Sequence, residues 1–224
     1  MDIITALSLS QKLQISQDYI MREEYEILWL KEIFESKFGS SLVFKGGTAL
    51  RLAYGSPRFS EDLDFTLMRE INRSEFMNFL REVGKKYPAV FGVETREKFY
   101  TVFALVKIKE EYQDRSFSIK IEVSKRQGSW KKEKDLSQKI IRSEVTPLTV
   151  LANVASLERL LEEKKDAIRN RKAARDLFDL WYINQLLKIQ IKPDFTGFDK
   201  KQTKSELHRL LPRNYWRLVD SWLG

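Results

Sequence analysis

In the stretch EDLDFTL, Leu63, Phe65 and Leu67 alternate with Asp62, Asp64 and Thr66. A period of two in apolar character specifies a β-strand with one buried face, and it forces both carboxylates onto the other face. Their Cα atoms then stand about 6–7 Å apart, so their oxygens can meet at one hard cation. Mg2+ suits such a pair, because it takes one or two protein carboxylates and completes its shell with water and substrate phosphate oxygens. Solvated strand faces also carry acids, so the pair gains chemical meaning only from what surrounds it.

Upstream, the apolar run SLVFKGG predicts a short buried strand that ends at Gly46 and Gly47, and TALRLAYG then has helical spacing with Gly55 as its stop. A glycine pair that closes a strand and opens a helix at Thr48 lets backbone amides and the positive helix end face a phosphate. The plain alternative is a tight strand–helix turn. A P-loop is excluded, since G-x-x-x-x-G-K-[ST] is absent and Lys45 precedes the glycines. SPRFS, between this helix and the acidic strand, is a turn signal.

Apolar spacing predicts a helix between Ser16 and Phe38 and a second one in NRSEFMNFLREVGKKY, capped near Asn72 or Ser74. VETREKFYTVFALVKIKEE and RSFSIKIEVSKR are two strand-like runs separated by a polar turn at Gln113 and Asp114. In the second, Lys120 and Glu122 alternate with Ile119, Ile121 and Val123, which makes Glu122 a candidate third acid. From Thr149 onward the pattern is helical: LTVLANVASLERLLEEKKDAIRNR, AARDLFDLWYINQLL and KSELHRLLPRNYWRLVDSWLG. An α/β half thus gives way to an all-helical half between Gly128 and Pro147. The loop QGSWKKEKDLSQK is expected to be a charged surface connection that can touch a polyanion.

With 224 residues and 42% hydrophobic content, the chain can bury a sizeable core. Cysteine is absent, which excludes a disulfide framework, a thiolate nucleophile and a cysteine zinc site. The single histidine, His208, supports neither a histidine metal cluster nor a Ser-His-acid triad and is expected to be structural. Catalysis therefore falls to carboxylates, lysines and backbone amides. Forty Lys and Arg against thirty-two Asp and Glu leave a net charge of +8, a field that draws polyanions, nucleic acid and nucleotide first among them. A merely soluble basic surface has the same sum. The opening MDIITALSLSQKLQ lacks a basic region followed by a long apolar one, and no segment runs about eighteen apolar residues without charge, so a cytoplasmic protein without membrane association is expected.

Six cations fall within a dozen residues at Lys164, Lys165, Arg169, Arg171, Lys172 and Arg175. Lys164, Ile168, Arg171 and Arg175 have helical spacing, as a solvated basic face or as a phosphate-binding one. Asp176 and Asp179 sit among Leu177, Phe178, Leu180, Trp181 and Tyr182, where a carboxylate requires a partner, and Arg175 or Lys172 is the expected partner of Asp176.

FKGGTALRLAYGSPRFSEDLDF, then IKIEVS, then LERLLEEKKDAIRNRKAARDLFDLWYI closely resemble the AbiEii/AbiGii toxin family of nucleotidyltransferases, in the DNA polymerase β-like superfamily. QDYI, at Gln17 to Ile20, resembles that family's N-terminal helix, and the likeness spans the chain from about Asp18 to Leu187. The resemblance implies an α+β fold: a nucleotidyltransferase-type mixed β-sheet flanked by helices over residues 1–127, with a helical C-terminal lobe over 128–224. It implies transfer of a nucleotidyl group from an NTP with Mg2+ or Mn2+. Carried over by motif, Gly46, Gly47 and Thr48 hold phosphates, Asp62 and Asp64 hold metal, and Ser60 matches the serine before the acidic pair. The functional lysine falls on Lys164, with Lys165 the adjacent register, and the aspartate of the RD pair on Asp176. Glu122 stands where the superfamily places its third acid. Members act as toxins paired with an antitoxin, and MenT-like relatives add nucleotides to the 3′ end of tRNA, so RNA is the implied acceptor. Transfer to a small molecule or protein, or a non-catalytic module that binds RNA or antitoxin, are the alternatives.

Overall fold

Leu63, Phe65 and Leu67 are fully buried, as are Ile119, Ile121 and Val123, so two strands turn their apolar faces to one side. In the computed structural model, which describes residues 1–126 and 130–224, that side is the main core. The elements run α1 (Ile3–Leu13), α2 (Gln17–Phe34), β1 (Leu42–Lys45), α3 (Gly46–Tyr54), β2 (Asp62–Leu67), α4 (Arg73–Lys85), β3 (Val90–Glu97), β4 (Thr101–Ile108), β5 (Phe117–Ser124), β6 (Leu136–Ser143), β7 (Thr146–Ala155), α5 (Leu157–Asn170), α6 (Ala174–Leu186), α7 (Lys200–Leu210) and α8 (Trp216–Leu223). The strands form one mixed sheet in the order β3-β4-β5-β2-β1-β7-β6. β2 is antiparallel to β1 and parallel to β5, and β1 is parallel to β7. This is the expected α+β architecture.

α2 and α4 cover one face of the sheet. Ile20, Ile27, Trp29 and Leu30 of α2 and Phe76 and Leu80 of α4 are fully buried in the core they share with the strands. α3, α5 and α6 lie on the other face around Val43, Leu50, Leu160 and Ile183. Because successive strand residues face opposite ways, Asp62, Asp64, Lys120 and Glu122 emerge on this second face. Beyond it, α6, α7 and α8 gather Phe178, Leu207, Leu211 and Val219 into a smaller cluster of their own.

Local signals account for several boundaries. Asn72 caps α4 by accepting from the Glu75 amide at 3.1 Å, and Ser156 caps α5 by accepting from the Arg159 amide. Gly55 ends α3 in the left-handed region at φ 75°. α1, capped by Asp2, is an additional helix in the opening stretch.

Four sequence expectations change. The run Val93–Glu111 is a β3–β4 hairpin and not one strand; its turn carries Phe99 and Tyr100, so apolar character continues straight through the reversal. The helical pattern expected from Thr149 begins only at Leu157. Thr146–Ala155 is β7, where Val150, Ala152 and Val154 are buried alternately, and it pairs with both β6 and β1. Residues 136–155 therefore complete the sheet instead of belonging to a helical lobe. The boundary drawn between 127 and 128 lies outside the described residues, as does the start of the QGSWKKEKDLSQK loop. The closing helix is two, α7 and α8, because Pro212 interrupts it.

The ring of His208 stacks on Trp216 at 4.4 Å between centroids, and its Nε2 lies 2.9 Å from Asp220 Oδ1.

Candidate active site

β1 passes directly into α3, and the turn works only with glycine. Gly46 has φ +80°, and a Cβ there would overlap the Asp64 carboxylate; one on Gly47 would run into the Arg58 guanidinium and the Ser60 hydroxyl. The missing side chains let the backbone at the start of α3 come up against the acidic strand, with its first amides unpaired within the helix. Thr48 has another job: it is fully buried, and its hydroxyl donates to the Asp62 carbonyl, tying α3 to β2.

Gly46 and Gly47 line a cavity of about 240 Å3 with Ser60, Asp62, Asp64, Lys120, Glu122 and Lys164. The parallel β2–β5 register sets Asp64 opposite Glu122 and Asp62 opposite Lys120. The three expected acids therefore share one floor. Lys120 lies among them, its Nζ 2.9 Å from Asp62 Oδ2 and 3.3 Å from Glu122 Oε2. Burial, reinforced by the negative charge of Asp62, raises the Asp64 carboxyl to about 6 despite Lys45, Lys120 and Lys164 nearby.

Behind the cavity runs a buried ion network. Arg58 grips Asp179 with two guanidinium nitrogens at 2.6 and 2.8 Å. Lys164 reaches Asp179 at 2.6 Å and Asp176 at 2.9 Å, and Arg171 closes on Asp176 at 2.8 and 3.2 Å. Burial works against the Asp176 charge, but the bonds from Arg171 and Lys164 outweigh it and hold the carboxyl at about 2. Burial likewise opposes the Asp179 and Lys164 charges; Arg58 and Lys164 nevertheless lower Asp179, and the two aspartates raise Lys164. Lys165 is turned outward to Glu162 at 2.8 Å, so the lysine at the cavity is Lys164.

The partners of Asp176 differ from expectation. α5 ends at Asn170, and Arg171 leaves it in extended conformation, so Arg171 and Arg175 do not continue one helical face. Arg171 folds back onto Asp176, Arg175 approaches Glu206 at 3.8 Å, and Lys172 meets the Gly197 carbonyl at 3.4 Å. The chain's last segment also contributes. Leu210 lines the cavity, its carbonyl accepts from the Phe59 amide at 2.8 Å, and Arg209 pairs with Glu61 at 2.6 Å.

Asp62, Asp64 and Glu122 are hard oxygen donors, and an ionised Asp64 short of compensating charge favours a cation. Among the described residues, no three acidic or histidine side chains converge closely enough to enclose an ion by themselves. A divalent ion held by these carboxylates would have to draw the rest of its shell from substrate and water.

Residues 28–212 match the family model described as Nucleotidyl transferase AbiEii toxin, Type IV TA system. The chain belongs to the AbiEii family. It is accordingly a nucleotidyltransferase of the toxin type. No curated protein matches the chain. Among solved structures, JHP933 from Helicobacter pylori is 24% identical with a TM-score of 0.61, over 94% of this chain and 90% of that one. MenT4, a nucleotidyltransferase toxin from Mycobacterium tuberculosis, is 21% identical with a TM-score of 0.53, over 84% of this chain and 62% of that one. At these identities the two structures speak for the fold alone.

Arg58 and Lys120 escape the sequence motifs, and Arg171 stands in the sequence only as one cation of a basic helix face. Arg58 reads as part of a turn and Lys120 as a strand-face residue. The available signal was the pair of aspartates in an apolar helix, which demands buried cations from elsewhere in the chain.

Two outcomes follow from the electrostatics. Asp179→Ala leaves Arg58 buried beside an incomplete network and should cost about 3–5 kcal/mol in chemical denaturation. Asp64 binds its proton more tightly folded than unfolded, so its contribution to stability is full below 3.8, the ordinary value of an aspartate, and is lost as pH rises to about 6. Asp64→Asn should therefore melt higher than the parent at pH 7–8, by on the order of 2–3 kcal/mol, with the gap closing towards pH 4.

Proposed function

We propose that the cavity binds an NTP together with Mg2+ or Mn2+ and transfers its nucleotidyl group to an RNA, at the 3′ end of a tRNA. The observation that carries this reading is the meeting, around one cavity, of a side-chain-free helix start, two in-register acidic strands and a cation fixed from behind. In the transfer, the acceptor hydroxyl gives up its proton to water as its oxygen bonds to the α-phosphorus. The bond to the β-phosphate oxygen breaks, and pyrophosphate leaves with that electron pair.

Asp62 and Asp64 would hold the metal, with Glu122 as third ligand; bound there, the ion supplies charge stabilisation at the reacting phosphate. Gly46 and Gly47 offer amides to the phosphates, and Ser60 stands beside Gly47 as a further donor. Lys164 places a permanent positive charge at the cavity wall. Asp176 acts through Lys164 and Arg171, as a positioning residue. Lys120, now bridging Asp62 and Glu122, is free to turn to substrate phosphate once a cation takes over those carboxylates.

The net charge of +8 supports a polyanionic acceptor. Family membership supports action as a toxin opposed by a cognate antitoxin. No helix among the described residues is long and apolar enough to cross a membrane.

Incubation with each α-labelled NTP, divalent metal and total RNA should label an RNA band. Asp62→Asn should lower that labelling by at least about 100-fold with the melting profile retained; substantial transfer by this variant would overturn the mechanism. RNA affinity should fall steeply between 50 and 200 mM salt, the range over which released counterions act. Label in a small molecule or a protein, with no salt dependence, would assign the acceptor to those classes.

A further inference from the structure

A second cavity of about 460 Å3 adjoins the first. Both are lined by Lys45 and Glu163, whose ion pair at 2.9 Å stands between them. The same two strands supply both floors: Asp64 and Glu122 face the first, and Thr66 and Ser124, two residues further along and again in register, face the second. The step between them is about 7 Å along the sheet.

The walls of this cavity differ from those of the first. Arg159 lies over the Trp130 ring at 4.6 Å, and Arg126 lies over the Tyr100 ring at the same distance. Neither arginine is ion-paired among the described residues, and the buried indole N–H of Trp130 has no acceptor there. From Arg126 the surface continues onto the β3–β4 turn. There Tyr100 and Phe99 are 53% and 81% exposed, with rings edge to face at 4.5 Å. Large aromatic rings held in water beside unpaired guanidinium groups form the kind of platform on which unpaired bases stack, while the cations follow the strand's phosphates. A duplex keeps its base faces covered and gains little from such a surface, and a small acceptor does not need it.

We propose that the second cavity and the Phe99–Tyr100 turn bind the last unpaired nucleotides of the acceptor strand, leading its terminal hydroxyl into the first cavity. This site requires a single-stranded end on the acceptor. The assignment rests on the reading of the acceptor as RNA, and it adds the secondary structure that this RNA must present.

The test uses the full chain and two fluorescent RNA hairpins, one with a four-nucleotide 3′ overhang and one blunt, followed by anisotropy without NTP. The overhang hairpin should bind at least about tenfold tighter than the blunt one. Phe99→Ala/Tyr100→Ala, which alters exposed side chains, and Arg126→Ala/Arg159→Ala should each weaken overhang binding by about tenfold. NTP binding, measured separately by calorimetry, should hold at the parental value. Equal binding of the two hairpins, or unchanged overhang binding in both double variants, would overturn the site. The two readings separate cleanly. Overhang binding that depends on these residues without any label transfer to RNA would keep this site and remove the transfer reaction; transfer to RNA with an unchanged KM in both variants would do the reverse.

Discussion

The fold's chemistry depends on a buried charge cluster in which Arg58, Lys164 and Arg171 meet Asp176 and Asp179. Desolvating these ions is expensive, and hydrophobic residues of equal volume would stabilise the fold at least as well. What the cluster supplies is position. Lys164 comes from α5, the aspartates from α6 and Arg58 from the segment before β2, so three separate elements are registered against one another at the rear of the cavity. A lysine with two carboxylate partners cannot leave its place, yet three cations against two carboxylates leave the cluster net positive towards the cavity.

The front of the site is tuned in the opposite sense. Asp62, Asp64 and Glu122 crowd together with Lys120 as nearest counter-charge, and Asp64 remains harder to ionise than an ordinary carboxylate. The glycine pair worsens this crowding by bringing backbone up against Asp64 and Arg58, at positions where any side chain would collide. Such an arrangement sacrifices folded-state stability at the place where charge is to be bound, the usual relation between a binding site and the fold that carries it. Anionic floor and cationic rear wall face each other across a cavity of about 240 Å3, so charges of both signs are presented within one small volume.

What could be read in the sequence was whatever is encoded locally. The period-two alternation at Leu63, Phe65 and Leu67 placed both acids on one face, and the glycines of KGGT placed the strand–helix turn. Long-range pairing was not legible. Nothing near Asp179 names Arg58 as its partner 121 residues away, and nothing near Asp176 shows that α5 ends in time for Arg171 to fold back onto it. LTVLANVA has alternation and helical spacing at once, so its sequence alone does not distinguish β7 from a helix. Pairing with β1 and β6 on either side decides in favour of the strand. Tertiary context overrides a weak local preference in such segments.

β7 also determines how the site is built. With β7 beside β1, the sheet runs past the glycine turn, and α5 starts one residue after the strand, from the Ser156 cap. The helix carrying Lys164 is thereby anchored to the strand next to β1, which leads directly into Gly46. A flexible connection between an α/β half and a helical half would have let lysine and carboxylates drift apart. A direct strand-to-helix passage fixes their separation through the hydrogen-bonded ladder itself. The C-terminal helices complete the enclosure from the far side, through Leu210 against Phe59 and Arg209 against Glu61. Residues without a motif of their own thus serve as the wall that gives the motifs a cavity.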